Sequence, residues 1–140
     1  ALHGSPGIVF PMLRGRRHLA SERSVELLDR VYRMIEKTAA RDGAFANWPL
    51  AVGEGSGPDA LVRLQHCIGA PGIVNSFATH LPASDPVDDL LIAGGELIWH
   101  AGPLVKMPSL CHGVPGSGFA FLKLFQRTGD AKWLDRARSF

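Results

Sequence analysis

The sequence has no long apolar run. Nothing in it approaches the roughly 20 apolar residues that a helix needs to cross a bilayer, so no transmembrane segment is expected. Its first ten residues, ALHGSPGIVF, hold no basic stretch of the kind that opens a secretory signal. An excess of one charge is missing too, since 15 Lys and Arg stand against 13 Asp and Glu. A balanced chain exerts no strong pull on nucleic acid or on an anionic membrane, and neither is expected as a partner. Two cysteines in 140 residues are too few for a disulfide framework. The expectation from these absences is a soluble, cytoplasmic protein.

Glycine and proline, by contrast, are plentiful, with 16 and 10 copies. They gather in one recurring pattern: HGSPGIVF at residues 3–10, IGAPGIVN at 68–75 and HGVPGSGF at 112–119. Each copy is a glycine, a small residue, Pro-Gly and then an apolar run. Proline near the start of a helix is favoured because its missing N–H is not needed there. The three turns are therefore expected to open short, buried helices, the first carrying Pro11 within it.

Between these copies lie helices of another kind. Residues 21–43, SERSVELLDRVYRMIEKTAARDG, place Val25, Leu28, Val31, Tyr32, Ile35 and Ala39 at a 3.6-residue period with charge opposite. Ser21 is the expected N-cap of this helix and Gly43 its expected C-terminal stop. Residues 84–102 repeat the pattern, with Asp85 as expected cap and Pro86 in the first turn. A third begins at Asp130. No strand is expected. Residues 44–62, AFANWPLAVGEGSGPDALV, read as a long irregular loop, and loops of that length are often functional. In it, Asn47-Trp48-Pro49 is expected either to line a central cleft or to staple the loop, and Glu54 is too isolated to assign.

The order is then buried helix, amphipathic helix, three times over. The fold class is all-α, with alternating inner and outer helices in an arc that could close into a ring. The chain opens inside a turn and closes within a helical pattern, so residues 1–140 read as a fragment of one domain, truncated at both ends.

Cys67, Cys111 and His112 stand next to these turns. A helix N-terminus favours a thiolate through its unpaired N–H groups and dipole, and thiolates are good zinc ligands. Two cysteines and one histidine with a fourth position open is the pattern of a catalytic zinc, whereas structural zinc usually has four protein ligands. On spacing alone, inert core thiols and a disulfide stay open as alternatives. His18, His80 and His100 read as structural or surface residues.

The chain resembles the lanthionine synthetase C-like family. The resemblance rests on HCIGAPGI around Cys67, on LCHGVPGSGFAFLKLFQRTGDAKWLDRA around Cys111 and His112, and on LHGSPGIVF at the start. It implies an α/α toroid of about seven inner and seven outer helices, of which this chain would supply three hairpins. It implies zinc at the centre, held by Cys67, Cys111 and His112, with the fourth position open to water or a substrate thiol. The implied activity is addition of a cysteine thiol to dehydroalanine or dehydrobutyrine in a peptide, which forms a thioether. His3 matches the family's candidate general acid. Arg63 matches an arginine suited to stabilising the enolate that forms on addition.

Two positions depart from the family pattern. Ile68 follows Cys67 where a histidine or tyrosine is usual, and His66 precedes it where tryptophan is usual. Ile68 cannot donate a proton, which favours a divergent role: a zinc-dependent protein that binds or transfers glutathione, or a non-catalytic scaffold stabilised by zinc. An upstream dehydratase domain or partner is a further expectation of the cyclase reading.

Overall fold

The computed structural model describes residues 3–49, 63–104 and 107–140. Helix α1 (Gly4–Gly15) runs into a short 3-10 turn (Arg16–His18) and is followed by α2 (Ser21–Thr38). A small antiparallel hairpin comes next, β1 (Ala40–Asp42) and β2 (Phe45–Asn47). Then follow α3 (Ala70–Phe77), α4 (Asp85–Ala101), α5 (Val114–Thr128) and α6 (Ala131–Arg138). Among the described residues the protein is all-α apart from that hairpin.

The helices pair in sequence: α1 with α2, α3 with α4 and α5 with α6. The first helix of each pair also packs on the first helix of the next, α1 on α3 and α3 on α5. This is the expected alternation of inner and outer helices. All eight residues of α3 are buried. Helix α2, in contrast, buries only Leu27, Val31 and Ile35 and carries a ladder of ion pairs on its outer face, Glu26 with Arg23 and Arg30, and Asp29 with Arg33. Those charges do little for stability, since exposed pairs contribute about 0–1 kcal/mol. The buried stripe holds the helix in place. Behind α4, the stacked rings of Phe121 and Trp133, with centroids 6.0 Å apart, join α5 to α6.

Each outer helix reverses the chain direction, so successive inner helices run parallel. Their N-terminal turns must then fall on one rim of the arc. That single consequence of topology brings residues 3, 67, 111 and 112 to the same end of the molecule.

Several expectations are corrected. A hairpin occupies residues 40–47, where helix and loop were expected. Helix α2 stops at Thr38, and Gly43 is instead the first of two turn residues in the hairpin, at φ +54. A positive φ there and none at Ala44 is the pattern of a type II′ hairpin turn. Ser21 and Asp85 are the first residues inside their helices, not caps. Ala20 and Ser84 hold the cap positions, because the chain enters each helix one residue earlier. Asp130 caps α6 as expected, accepting the Lys132 N–H at 2.9 Å. Helix α1 is less buried than expected. It buries only Leu13, while Ile8 and Met12 are exposed. Glu54 lies outside the described residues. Among the described residues no helix is long and apolar enough to cross a membrane.

Candidate metal centre

Cys67 sits in a tight reversal between the hairpin and α3. The N–H of Gln65 donates to the Ile68 carbonyl at 2.9 Å, and the N–H of Ile68 returns a bond to the Gln65 carbonyl at 3.2 Å. The chain then turns into α3 at Gly69, whose φ is +103. A side chain at that position would strike the Arg63 carbonyl, so only glycine fits on both counts. Asn47, at the end of β2, fastens this reversal from outside. Its Oδ1 accepts the Ala70 N–H at 2.7 Å and its Nδ2 donates to the Arg63 carbonyl at 3.3 Å. An asparagine distant in sequence thus satisfies a helix N-terminus that has no local side-chain cap. Trp48 adds an anchor on α2, donating Nε1–H to the Ile35 carbonyl at 3.0 Å.

Cys111 and His112 lie in the turn before α5. Gly113 donates to the Ser109 carbonyl at 2.9 Å, and the His112 N–H reaches Ser109 Oγ at 3.4 Å. A side chain at residue 113 would run into the Met107 and Ser109 carbonyls, so the turn is closed around that glycine. The two loops are bonded to each other. The N–H of His66 donates to the Cys111 carbonyl at 3.0 Å.

The result is one cluster. One ligand atom each from Cys67, Cys111 and His112 lies within 4.8 Å of the other two. Cys67 Sγ is 3.4 Å from His112 Nε2 and 3.5 Å from Gln65 Oε1. In a tetrahedral zinc site with ordinary Zn–S and Zn–N bonds, a sulfur and a nitrogen ligand stand roughly 3.6 Å apart. The donor set and its spacing therefore fit zinc, with three protein donors among the described residues. Both cysteines are free, and no disulfide joins them.

The three ligands differ in setting. Cys67 is buried, at 3% exposure, Cys111 is half-buried and His112 is exposed. Burial, and then the neighbouring Cys111, push the Cys67 thiol above its ordinary pKa. Without a cation it is a neutral thiol at neutral pH. A cation between the three groups would oppose that shift by favouring the thiolate.

A cavity of about 110 Å³ opens beside Cys67. Met34, Trp48, Ile68 and Ile73 are among its walls and His3 stands among its lining residues. His3 is an exposed residue at the N-cap of α1. Arg63 is exposed and is not among the lining residues; its backbone carbonyl serves the Asn47 clasp. Ile68 turns an apolar side chain to the cavity. Of Asn47-Trp48-Pro49, Asn47 fastens the reversal before α3, and Trp48 and Pro49 are among the cavity's lining residues.

His66 takes no place in the ligand cluster. Its Nδ1 lies 3.1 Å from Asn75 Nδ2, and burial holds the imidazole pKa below its ordinary value. The other histidines are structural or at the surface: His80 meets the Phe10 ring edge-on at 4.9 Å and His100 stacks on Phe45 at 5.0 Å, while His18 is exposed beside Arg17.

Comparison with known proteins agrees with this architecture. The family model of the lanthionine synthetase C-like proteins matches residues 2–140. The LanC-like protein GCL1 of Arabidopsis thaliana is 36% identical over 97 residues, covering 67% of this chain and 21% of the relative. The zebrafish (Danio rerio) protein named glutathione S-transferase LANCL1 is 30% identical over 143 residues, covering 100% of this chain and 33% of the relative. The chain thus spans about a third or less of the length of these relatives. On the match along nearly all of its length, the chain belongs to the lanthionine synthetase C-like family.

Proposed function

We propose that Cys67, Cys111 and His112 hold zinc and that the protein adds a thiol to dehydroalanine or dehydrobutyrine residues of a peptide. The observation that carries this reading is the convergence of the three ligand atoms, one of them on Cys67, which lines a cavity. Zinc held there would supply a thiolate nucleophile at neutral pH by lowering a thiol pKa. The chemistry is a conjugate addition. The S–C bond forms at the β-carbon of the dehydro residue, the double-bond electrons move to the carbonyl, and a proton is then delivered to the α-carbon. His3, lining the cavity, is the proposed proton donor. Arg63 is proposed to stabilise the enolate oxygen, from an exposed position that the substrate would have to approach. Residues 1–140 are proposed to be part of a single toroidal domain, working in the cytoplasm.

The thiol has two candidate sources. If it belongs to the substrate peptide, the product is a lanthionine ring, and a dehydratase must supply the dehydro residues. If it is glutathione, the product is an intermolecular adduct. Two observations favour glutathione. Ile68, which has no proton to donate, is among the cavity's lining residues next to Cys67, and the relative matching the full chain is named a glutathione S-transferase.

The test is incubation of the full-length protein, zinc-loaded, with a peptide that carries both dehydroalanine and cysteine, with and without glutathione. Mass spectrometry then separates the outcomes. A glutathione adduct supports transfer; a ring of unchanged mass whose cysteine resists alkylation supports cyclisation. If neither forms although zinc is bound, both catalytic readings fail and a zinc-stabilised scaffold takes their place.

A further inference from the structure

Asn75 is a polar side chain in the middle of the fully buried helix α3, and it is only 9% exposed. Burying an amide is unfavourable unless its hydrogen bonds are met. Here the amide nitrogen is met by the two loops that carry Cys67, Cys111 and His112. Asn75 Nδ2 donates to the Gly116 carbonyl at 2.9 Å, in the first turn of α5, directly after Cys111 and His112. The same nitrogen lies 3.1 Å from Nδ1 of His66, the residue next to Cys67. An amide nitrogen has two hydrogens, and a neutral imidazole can accept one at Nδ1 with its own proton on Nε2. The Gly116 carbonyl has a second lone pair, so it can take Asn75 without leaving its helix bond.

Among the described residues the loops are otherwise joined by one backbone bond, from His66 N–H to the Cys111 carbonyl, and by the contact of Cys67 Sγ with His112 Nε2 at 3.4 Å. That contact is between the candidate ligands themselves, so without it a single backbone bond leaves the two loops free to pivot. A second tie, running through a side chain fixed on a buried helix, removes that pivot.

We infer that Asn75 is a positioning residue for the metal centre: its amide N–H groups hold the His66 imidazole and the Gly116 carbonyl, and so set the spacing of Cys67 against Cys111 and His112. The consequence for metal binding rests on the zinc reading above. The spacing itself does not, and the two are separable by experiment. Partners that orient metal ligands typically change affinity 10–100-fold when removed.

Two variants of the full-length protein serve as tests. Asn75→Leu keeps the approximate shape and removes both donors. His66→Ala removes one arm at a half-buried site and keeps the test open should the Asn75→Leu protein not fold. Cobalt(II) is the metal probe, because its visible bands report both affinity and ligand geometry. Asn75→Leu is expected to weaken cobalt binding about 10–100-fold and to shift the bands, and His66→Ala to do so less. In the metal-free protein, the rate at which diamide oxidises Cys67 and Cys111 to a disulfide measures loop spacing directly. That rate is expected to fall in both variants. If folded variants match the wild type in cobalt affinity, spectrum and disulfide rate, the positioning role is overturned. If the wild-type protein binds no cobalt but the disulfide rate still falls in the variants, the positioning role stands and the zinc reading fails.

Discussion

The loop that carries Cys67 and the turn that carries Cys111 and His112 begin with similar sequence and end in different surroundings. Both precede a Pro-Gly helix start on the same rim. The first is clasped by Asn47, walled by Trp48 and closed at a glycine with positive φ, and its cysteine is buried. The second is held by its own backbone and Ser109, by the His66 N–H at Cys111 and by Asn75 at Gly116, and its histidine is exposed. A motif therefore fixes the direction of the chain, while burial is decided by what packs over it. In functional terms the first loop is a fixed wall of the site. The second leaves His112 exposed and Cys111 half-buried.

The largest effect should come from Gly69→Ala in the fixed loop. The variant must adopt φ +103 and also displace the Arg63 carbonyl. A cost of about 3 kcal/mol or more is expected, read as a lowered urea midpoint. Gly129 has a positive φ but open space around it, so Gly129→Ala should cost only about 1–2 kcal/mol. Equal losses in the two would mean that the clasp around residue 69 contributes nothing.

Asn47→Ala comes next. It removes two hydrogen bonds at a buried helix start, and about 1–2 kcal/mol is expected from the same denaturation curves. His112→Ala should come last on this scale. The residue is exposed, so stability should change by less than about 0.5 kcal/mol in the metal-free protein. Metal binding should nevertheless be lost. A variant that leaves stability untouched and abolishes metal uptake would separate the ligand turn from the structural loop most clearly.

The same contrast has a pH signature. The buried Cys67 thiol is raised above its ordinary pKa, so it is protonated at neutral pH when no metal is bound. Binding as a thiolate must release that proton. Affinity should therefore rise with pH and fall as pH drops, by about tenfold per unit for the Cys67 proton alone while pH stays below the raised pKa. Calorimetry in buffers of different ionisation enthalpy would count the protons released. No proton release at neutral pH would mean that Cys67 is not a ligand.

What could be read in the sequence was local or repeated. The Gly-x-Pro-Gly turns mark α1, α3 and α5, the 3.6-residue period marks α2 and α4, and Asp130 is a cap whose bond spans two residues. What could not be read was held by contacts distant in sequence. Asn47 reaches Ala70, His66 reaches Cys111, and Asn75 reaches Gly116; no spacing rule connects these pairs. The hairpin at residues 40–47 did carry a signal, since Gly43-Ala44 is the Gly-X pair of a type II′ hairpin turn. It was masked by the helical period running into it, which made Gly43 look like a helix stop. The exposure of α1 was not legible either, because its apolar run is like that of α3 and only packing distinguishes them. For the site, residue types and spacing left Cys67, Cys111 and His112 as one possibility among several, and it was the family resemblance that joined them into one ligand set. The parallel inner helices explain why those residues meet.

The most direct test of the central claim is the metal content of the full-length protein, purified without added metal, beside its Cys67→Ala and Cys111→Ala variants. One zinc per chain in the wild type and almost none in either variant is the predicted result. A wild type without zinc, or a cysteine variant that keeps it while folded, would contradict the assignment of this cluster as a metal centre.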